Sequence, residues 1–169
     1  LVNNIEMLHT CNKKNKNYVA CIVIDLFSTY YPNKGFLNAL KKIAKKNKIC
    51  LIFDEIITWF RLHPCGAQKY FGLTPDLSCF GKGLANGFPL SALVWKDKYM
   101  IKANDLFYSL IFAGESIILA AGSPALDIYK NLKLSKELEN TGNYLIKKLQ
   151  KAIDENPLHD TISIHGMPC

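Results

Sequence analysis

Arginine is almost missing from this chain: of 21 basic residues, only Arg61 is an arginine and the other twenty are lysines. Recognition of bases and phosphates leans on the planar guanidinium fork. The net charge of +7 is therefore read as solvated surface, with no nucleic-acid partner expected. The lysines at 41, 42, 45, 46 and 48, and again at 147, 148 and 151, fall on the polar faces of expected helices. Long apolar runs are also lacking. The stretches at 19–24 and 117–121 fall far short of the roughly 20 residues of a membrane-spanning helix. No charged-then-apolar leader opens the sequence, so the expected location is the cytoplasm, with no membrane partner. The six cysteines, Cys11, Cys21, Cys50, Cys65, Cys79 and Cys169, form no C-x-x-C pair and no zinc-type spacing with His9, His63, His159 or His165. Reduced thiols and no metal site are expected, with Cys21 and Cys50 as small core residues. Cys79 stands three residues before a glycine-flanked lysine and either lines a site there or simply packs.

What the sequence does contain is the patterning of an ordinary globular α/β domain, 49% hydrophobic and 21% charged. Residues 19–25 form a β-branched apolar run that predicts a buried strand. A loop at 31–35 follows. Phe36, Leu37, Leu40, Ile43 and Ala44 recur at helical spacing with lysines opposite, predicting an amphipathic helix over 35–47. The run 49–53 predicts a second strand, so these elements form a β-α-β unit with a parallel sheet and right-handed crossover. A further turn and short strand are expected over 74–80, a strand at 91–95, and helices at 115–131 and 135–154. Gly122 and Pro124 should kink or shorten the first of these helices. Residues 161–164 read as the first strand of a second domain.

Two features carry chemistry. Leu51-Ile52-Phe53 runs directly into Asp54-Glu55, and buried parallel strands of open α/β sheets present ligands at their carboxyl ends. Phe80-Gly81-Lys82-Gly83-Leu84-Ala85-Asn86-Gly87-Phe88-Pro89 then places a lysine between glycines, where backbone can turn sharply and approach a ligand. Lys82 and Asp54 are expected to share one crevice. A rival reading takes 51–55 as the magnesium strand of a P-loop ATPase, Asp54 holding the metal and Glu55 polarising water. That reading needs a G-x-x-x-x-G-K-[ST] loop, which Gly81-Lys82-Gly83 does not supply, so the loop would have to precede Leu1.

Three stretches extend the comparison: Leu51 through Arg61, Gly66 through Asp76, and Gly81 through Ala92, with a weaker fourth from Phe112 to Ala121. In order and spacing they resemble the class-III aminotransferases, pyridoxal-phosphate enzymes of fold type I that include ornithine aminotransferases and glutamate-1-semialdehyde aminomutase. The resemblance implies the large domain of such an enzyme, a mostly parallel sheet with helices on both faces. Residues 1–155 would be the C-terminal half of that domain and 156–169 the start of the small one. The chain would then be a fragment, and its ends look cut. The implied cofactor is pyridoxal 5'-phosphate, bound by Lys82 as a Schiff base. Asp54 would keep the pyridine nitrogen protonated, and Ile56 would pack on one ring face. The implied partners are a small-molecule amino donor or acceptor and a second copy of the chain in a homodimer.

Some positions depart from the family pattern. Ile57 replaces a glutamine of the ornithine-type members, which points to the aminomutase-like branch. Trp59 stands where glycine is usual, so backbone freedom is expected to be lost there. Ile111 stands where members often carry a threonine that reaches the cofactor phosphate of the other subunit. Arg61 matches a family arginine and is read as an ion-pair partner or a substrate carboxylate contact. Trp59 and Ile111 keep open the reading of a non-catalytic relative.

Overall fold

The computed structural model describes residues 4–15, 18–26, 31–33, 35–103, 105–107, 109–131 and 133–169. Lys34, in the expected loop at 31–35, lies outside them. Helix α1 (Ile5–Lys14) leads to strand β1 (Cys21–Asp25), helix α2 (Phe36–Lys46) and strand β2 (Cys50–Asp54). β1 and β2 pair in parallel from Cys21 opposite Cys50 to Asp25 opposite Asp54. The β-α-β unit is as the periodicity predicts. Gly35, at φ 83°, starts α2 in a left-handed conformation that glycine adopts without steric cost.

Strand β3 (Leu77–Phe80) adds in parallel to β2, with Asp54 opposite Cys79. Strand β4 (Ala92–Trp95) closes the order β1-β2-β3-β4 and runs antiparallel to β3. The sheet is thus mostly parallel. One face carries the core, in which Leu51 and Phe53 of β2 meet Phe36, Leu37, Leu40 and Ala44 of α2, together with Leu26, Ile49, Ala67 and Leu73. Alternation along the strands puts Cys21, Val23, Cys50, Ile52 and Asp54 on the other face, where Val23 is 61% exposed. Cys21 is therefore exposed and Cys50 half-buried, not the core residues their apolar surroundings predict. All six thiols are free.

The short helix α3 (Ala67–Tyr70) precedes β3, and α4 (Asp97–Ala103) follows β4. Helix α5 (Ser116–Asn131) continues unbroken through Gly122 and Pro124. Tertiary packing overrides the local breakers here. A Cβ on Gly122 would come within 2.6 Å of Leu90 Cδ2 and 3.8 Å of the Leu84 carbonyl, so the bare glycine lets α5 lie directly on the segment after the lysine. Helix α6 (Leu134–Asp154) ends the regular structure. The strand expected at 161–164 does not form. Thr161 instead closes a turn by donating its hydroxyl to the Leu158 carbonyl at 2.8 Å, and a ladder needs a partner strand, which this segment has not found among the described residues. The segment returns to α6, where Pro168 packs against Gly142 so closely that a Cβ there has no room. No helix of the described residues is long and apolar enough to cross a membrane.

Candidate active site

The carboxyl ends of β2 and β3 bring the two sequence signals side by side. Asp54 ends β2, and its Oδ1 accepts a hydrogen bond from the Ile56 backbone N–H at 3.0 Å. This turn fixes Ile56 relative to the carboxylate. The Ile56 side chain then covers Gly81: a Cβ on that glycine would sit 3.6 Å from Ile56 Cγ2. Ile56 thus occupies the space that a side chain on the residue before Lys82 would need.

Lys82 opens a single 3-10 turn, Lys82–Leu84, closed by Leu84 N–H donating to the Gly81 carbonyl at 3.0 Å. The sharp backbone is not where the glycines predict it. Gly81 is extended at φ −170°, and the left-handed residues are Lys82 itself at φ 45°, Asn86 at φ 43° and Gly87 at φ 120°. Left-handed backbone is disfavoured for a residue with a side chain. Holding Lys82 there turns its exposed side chain onto a cleft of about 510 Å³. Ile56, Ile57, Trp59, Phe60 and Tyr129 share its walls. Asp54 is not among the residues lining this cleft; it pairs with Cys79 in the sheet and lies on the same face. Burial raises the Cys79 thiol pKa above its ordinary value, and the nearby Asp54 charge adds to the effect.

Glu55 has a different task from the one the ATPase reading gives it. It is fully buried. Its carboxylate accepts from the backbone N–H of Ala67, from that of Gln68 at 3.1 Å and from the Thr58 hydroxyl at 3.3 Å. It caps the first turn of α3 from a distance and is sealed from the cleft, so it polarises no water. Desolvation raises its pKa, against the lowering effect of those same hydrogen bonds.

Trp59 costs no backbone strain. The left-handed residue is its neighbour Phe60, at φ 65°, and the indole N–H donates to the Pro64 carbonyl at 3.3 Å. Arg61 lies on the cleft rim and also borders a second hollow containing Glu139 and Cys169. Ile111 sits at 95% exposure in the turn before α5. Composition gave no signal for Phe60 or Tyr129, which reach the cleft only through the exit from β2 and the folding of α5, whereas Asn86 belongs to the lysine loop and donates its N–H to the Lys82 carbonyl at 3.2 Å.

A family model, "Aminotransferase class-III", matches residues 2–167. The chain belongs to the class-III aminotransferase family. The P-loop ATPase alternative is thereby excluded. Among its relatives, glutamate-1-semialdehyde 2,1-aminomutase of Methanobrevibacter smithii is 38% identical over 160 residues, covering 90% of this chain and 38% of that protein. The 3-aminobutyryl-CoA aminotransferase of Cloacimonas acidaminovorans is 33% identical, over 91% of this chain and 39% of its own length. The class-III member thus spans just under two fifths of these curated relatives. Among solved structures, an omega-transaminase from Sphaerobacter thermophilus superposes with a TM-score of 0.80 at 25% identity, covering 91% of this chain and 37% of that one. The internal aldimine form of the FumI protein from Sphingopyxis sp. MTA144 superposes at 0.83 with 24% identity, over 90% and 38% of the two chains. The family works with pyridoxal phosphate, and the fold is that of part of its large domain.

Proposed function

We propose that the full protein is a pyridoxal-phosphate-dependent aminotransferase or 2,1-aminomutase acting on a small amino-group substrate, with Lys82 as its catalytic residue. The observation that carries this reading is the exposed Lys82 side chain, set on a cleft walled by Ile56 at the carboxyl ends of two parallel strands. The residues fit the cofactor's reactive half. An amine faces open space, and the branched apolar side chain of Ile56 on the same cleft would give a planar ring a wall. Asp54, hydrogen-bonded to the Ile56 backbone N–H, would be the partner of the ring nitrogen. When bound, the cofactor supplies an aldehyde for the amine and a pyridine ring that withdraws electrons while protonated.

In this reading Lys82 Nζ would hold the cofactor, and the same amine, when free, would serve as general base and then acid at the substrate α-carbon. Asp54 keeps the proton on the ring nitrogen, since an adjacent carboxylate favours the charged form. Ile56 excludes water from one ring face. Ile57, which also lines the cleft, offers no hydrogen bond there, and with the 38% identity to an aminomutase this favours the aminomutase-like branch.

We further assign residues 1–155 to the large domain and 156–169 to the start of the small domain, a boundary supported by the end of α6 at Asp154. A homodimer is supported by the exposed apolar segment at 106–119, in which Leu106, Phe107, Leu110, Ile111 and Phe112 are each more than half exposed. Patches of this kind mark interfaces. We propose a cytoplasmic location; no helix of the described residues is long and apolar enough to cross a membrane.

The test is borohydride reduction of the cofactor-loaded full-length protein followed by peptide mapping. Cofactor fixed on Lys82 is expected, and fixation on any other lysine refutes the assignment. Asp54→Asn should retain cofactor but lose about 3 kcal/mol of transition-state stabilisation, the size of one preorganised electrostatic contact; normal turnover would make Asp54 structural.

A further inference from the structure

The lysine turn is held from both sides by a stack of four aromatic rings. Phe80, the last residue of β3, packs on Trp59 with ring centroids 4.1 Å apart. Trp59 stacks on Phe60 at 4.1 Å and an interplanar angle of 20°. Phe60 stacks on Tyr129 of α5 at 4.0 Å and 29°. The stack ends in a polar contact: the Tyr129 hydroxyl donates to the Gly83 carbonyl at 2.7 Å. It therefore begins two residues before Lys82 and returns to the chain one residue after it.

A clamp is needed here because the turn is not self-supporting. Lys82 is left-handed without being glycine, and the 3-10 turn that follows has the poorer hydrogen-bond geometry of its class. Phe60, the ring next to Tyr129, is itself left-handed. The stack thus adjoins two disfavoured backbones, and a structure keeps such residues only where surrounding contacts over-determine them. Gly83 has room for the contact, since its missing Cβ would lie 3.5 Å from the Tyr129 oxygen. Burial also raises the pKa of that phenol, so it stays protonated and able to donate.

We infer that Tyr129 is a positioning residue for Lys82: through the Gly83 carbonyl, and backed by the Phe80–Trp59–Phe60 stack, it fixes the direction in which the Lys82 amine enters the cleft. This inference rests on the reading of Lys82 as the cofactor-bearing residue. Tyr129 acts on the amine through the Gly83 carbonyl. Its effect is on the fraction of time the amine is aimed.

The conservative variant Tyr129→Phe removes the donor and keeps the ring, so the stack and the fold survive. Cofactor-free full-length protein is mixed with pyridoxal phosphate, and attachment is followed by visible absorbance. Visible circular dichroism reports how firmly the attached ring is oriented, and borohydride mapping identifies the lysine. In Tyr129→Phe, attachment at Lys82 is expected to slow about two- to tenfold, the factor one neutral hydrogen bond contributes, with a weakened dichroic band and a melting temperature close to wild type. An unchanged attachment rate and an unchanged band, whatever happens to the melting temperature, would leave Tyr129 a packing residue and overturn the inference. Wild-type protein that attaches cofactor at another lysine would refute the assignment of Lys82 itself, and the inference with it; the wild-type map separates that failure from the first.

Discussion

Removing the Glu55 carboxylate should unlock the segment that carries β2 into the cleft. Glu55 is fully buried and serves three donors. Of these, the Ala67 N–H and the Thr58 hydroxyl lie in buried surroundings, while the Gln68 N–H is partly buried. Glu55→Ala strands them. Each buried donor left without an acceptor costs about 1–3 kcal/mol, so two of them set an expected loss of about 2–6 kcal/mol, partly offset because a desolvated carboxylate is also removed. Glu55→Gln keeps one acceptor oxygen and should cost less. Gly66→Ala attacks the same cap from the other side: Gly66 is at φ 83°, and a Cβ would meet Glu55 Oε2 at 2.5 Å and Oε1 at 2.8 Å, with backbone strain added. The pH dependence has a definite sign. Because burial raises the folded-state pKa of Glu55, its contribution is fully present below the unfolded value of about 4.3 and fades as pH rises through the folded value. Wild type should therefore gain stability relative to Glu55→Gln as the solution is acidified. Amide hydrogen exchange at Ala67 and Gln68, with thermal melts of the full-length protein across pH, provides the measurement. If Glu55→Ala leaves both amides protected and the melt unmoved, the cap is not what holds this segment.

Asp76 should behave in the opposite sense: burial pushes its pKa up, but the Lys96 ammonium at 2.8 Å, the Leu51 N–H at 3.1 Å and the Lys98 ammonium outweigh it and hold the carboxyl below its usual range. Its contribution is present above the unfolded value of about 3.9 and is lost as pH falls through the lowered folded value, so Asp76→Asn should flatten the acid limb of the stability profile; an unaltered limb would refute the pairing. Gly83→Ala should be structurally tolerated, since the new Cβ makes only ordinary contacts with Tyr129 and Phe60 and Gly83 is not left-handed. Stability is expected to stay level or rise by up to about 1 kcal/mol, and a loss of several kcal/mol in a melt would show that the backbone requires glycine there.

The β-α-β unit was legible because its period-3.6 and apolar-run signals are strong and local, and the lysine loop because its neighbours resemble a known family over long stretches. The boundaries moved by a residue or two. What could not be read was set by packing between distant segments. Helix α5 survives Gly122 and Pro124 because it rests on Leu84 and Leu90. Helix α1 was hidden in a polar stretch, where its Asn4 cap, accepting from the Met7 N–H at 3.0 Å, is a weak signal. The strand expected at 161–164 has the right residues but no ladder partner among the described residues. At the site, Tyr129 lies 46 residues from Gly83, and no spacing rule connects them.

The Asp54-Glu55 pair shows how one structural fact resolves two chemical readings. Adjacent carboxylates at a strand end are equivalent by composition, and either one would serve a metal, a water or a ring nitrogen. A strand makes them inequivalent, because successive side chains point to opposite faces. Phe53 is in the core, so Glu55, two residues on, is directed to the same side and is consumed by the cap of α3. Asp54 takes the face of Cys50 and Ile52 and stays at the carboxyl end of β2, hydrogen-bonded to the Ile56 N–H. A register slip of one residue would exchange the two roles, burying the carboxylate assigned to the cofactor and exposing the one that caps α3. The hydrophobic order Leu51-Ile52-Phe53, through the depth at which Leu51 and Phe53 are held at 3% and 1% exposure, therefore decides which carboxylate is available for chemistry.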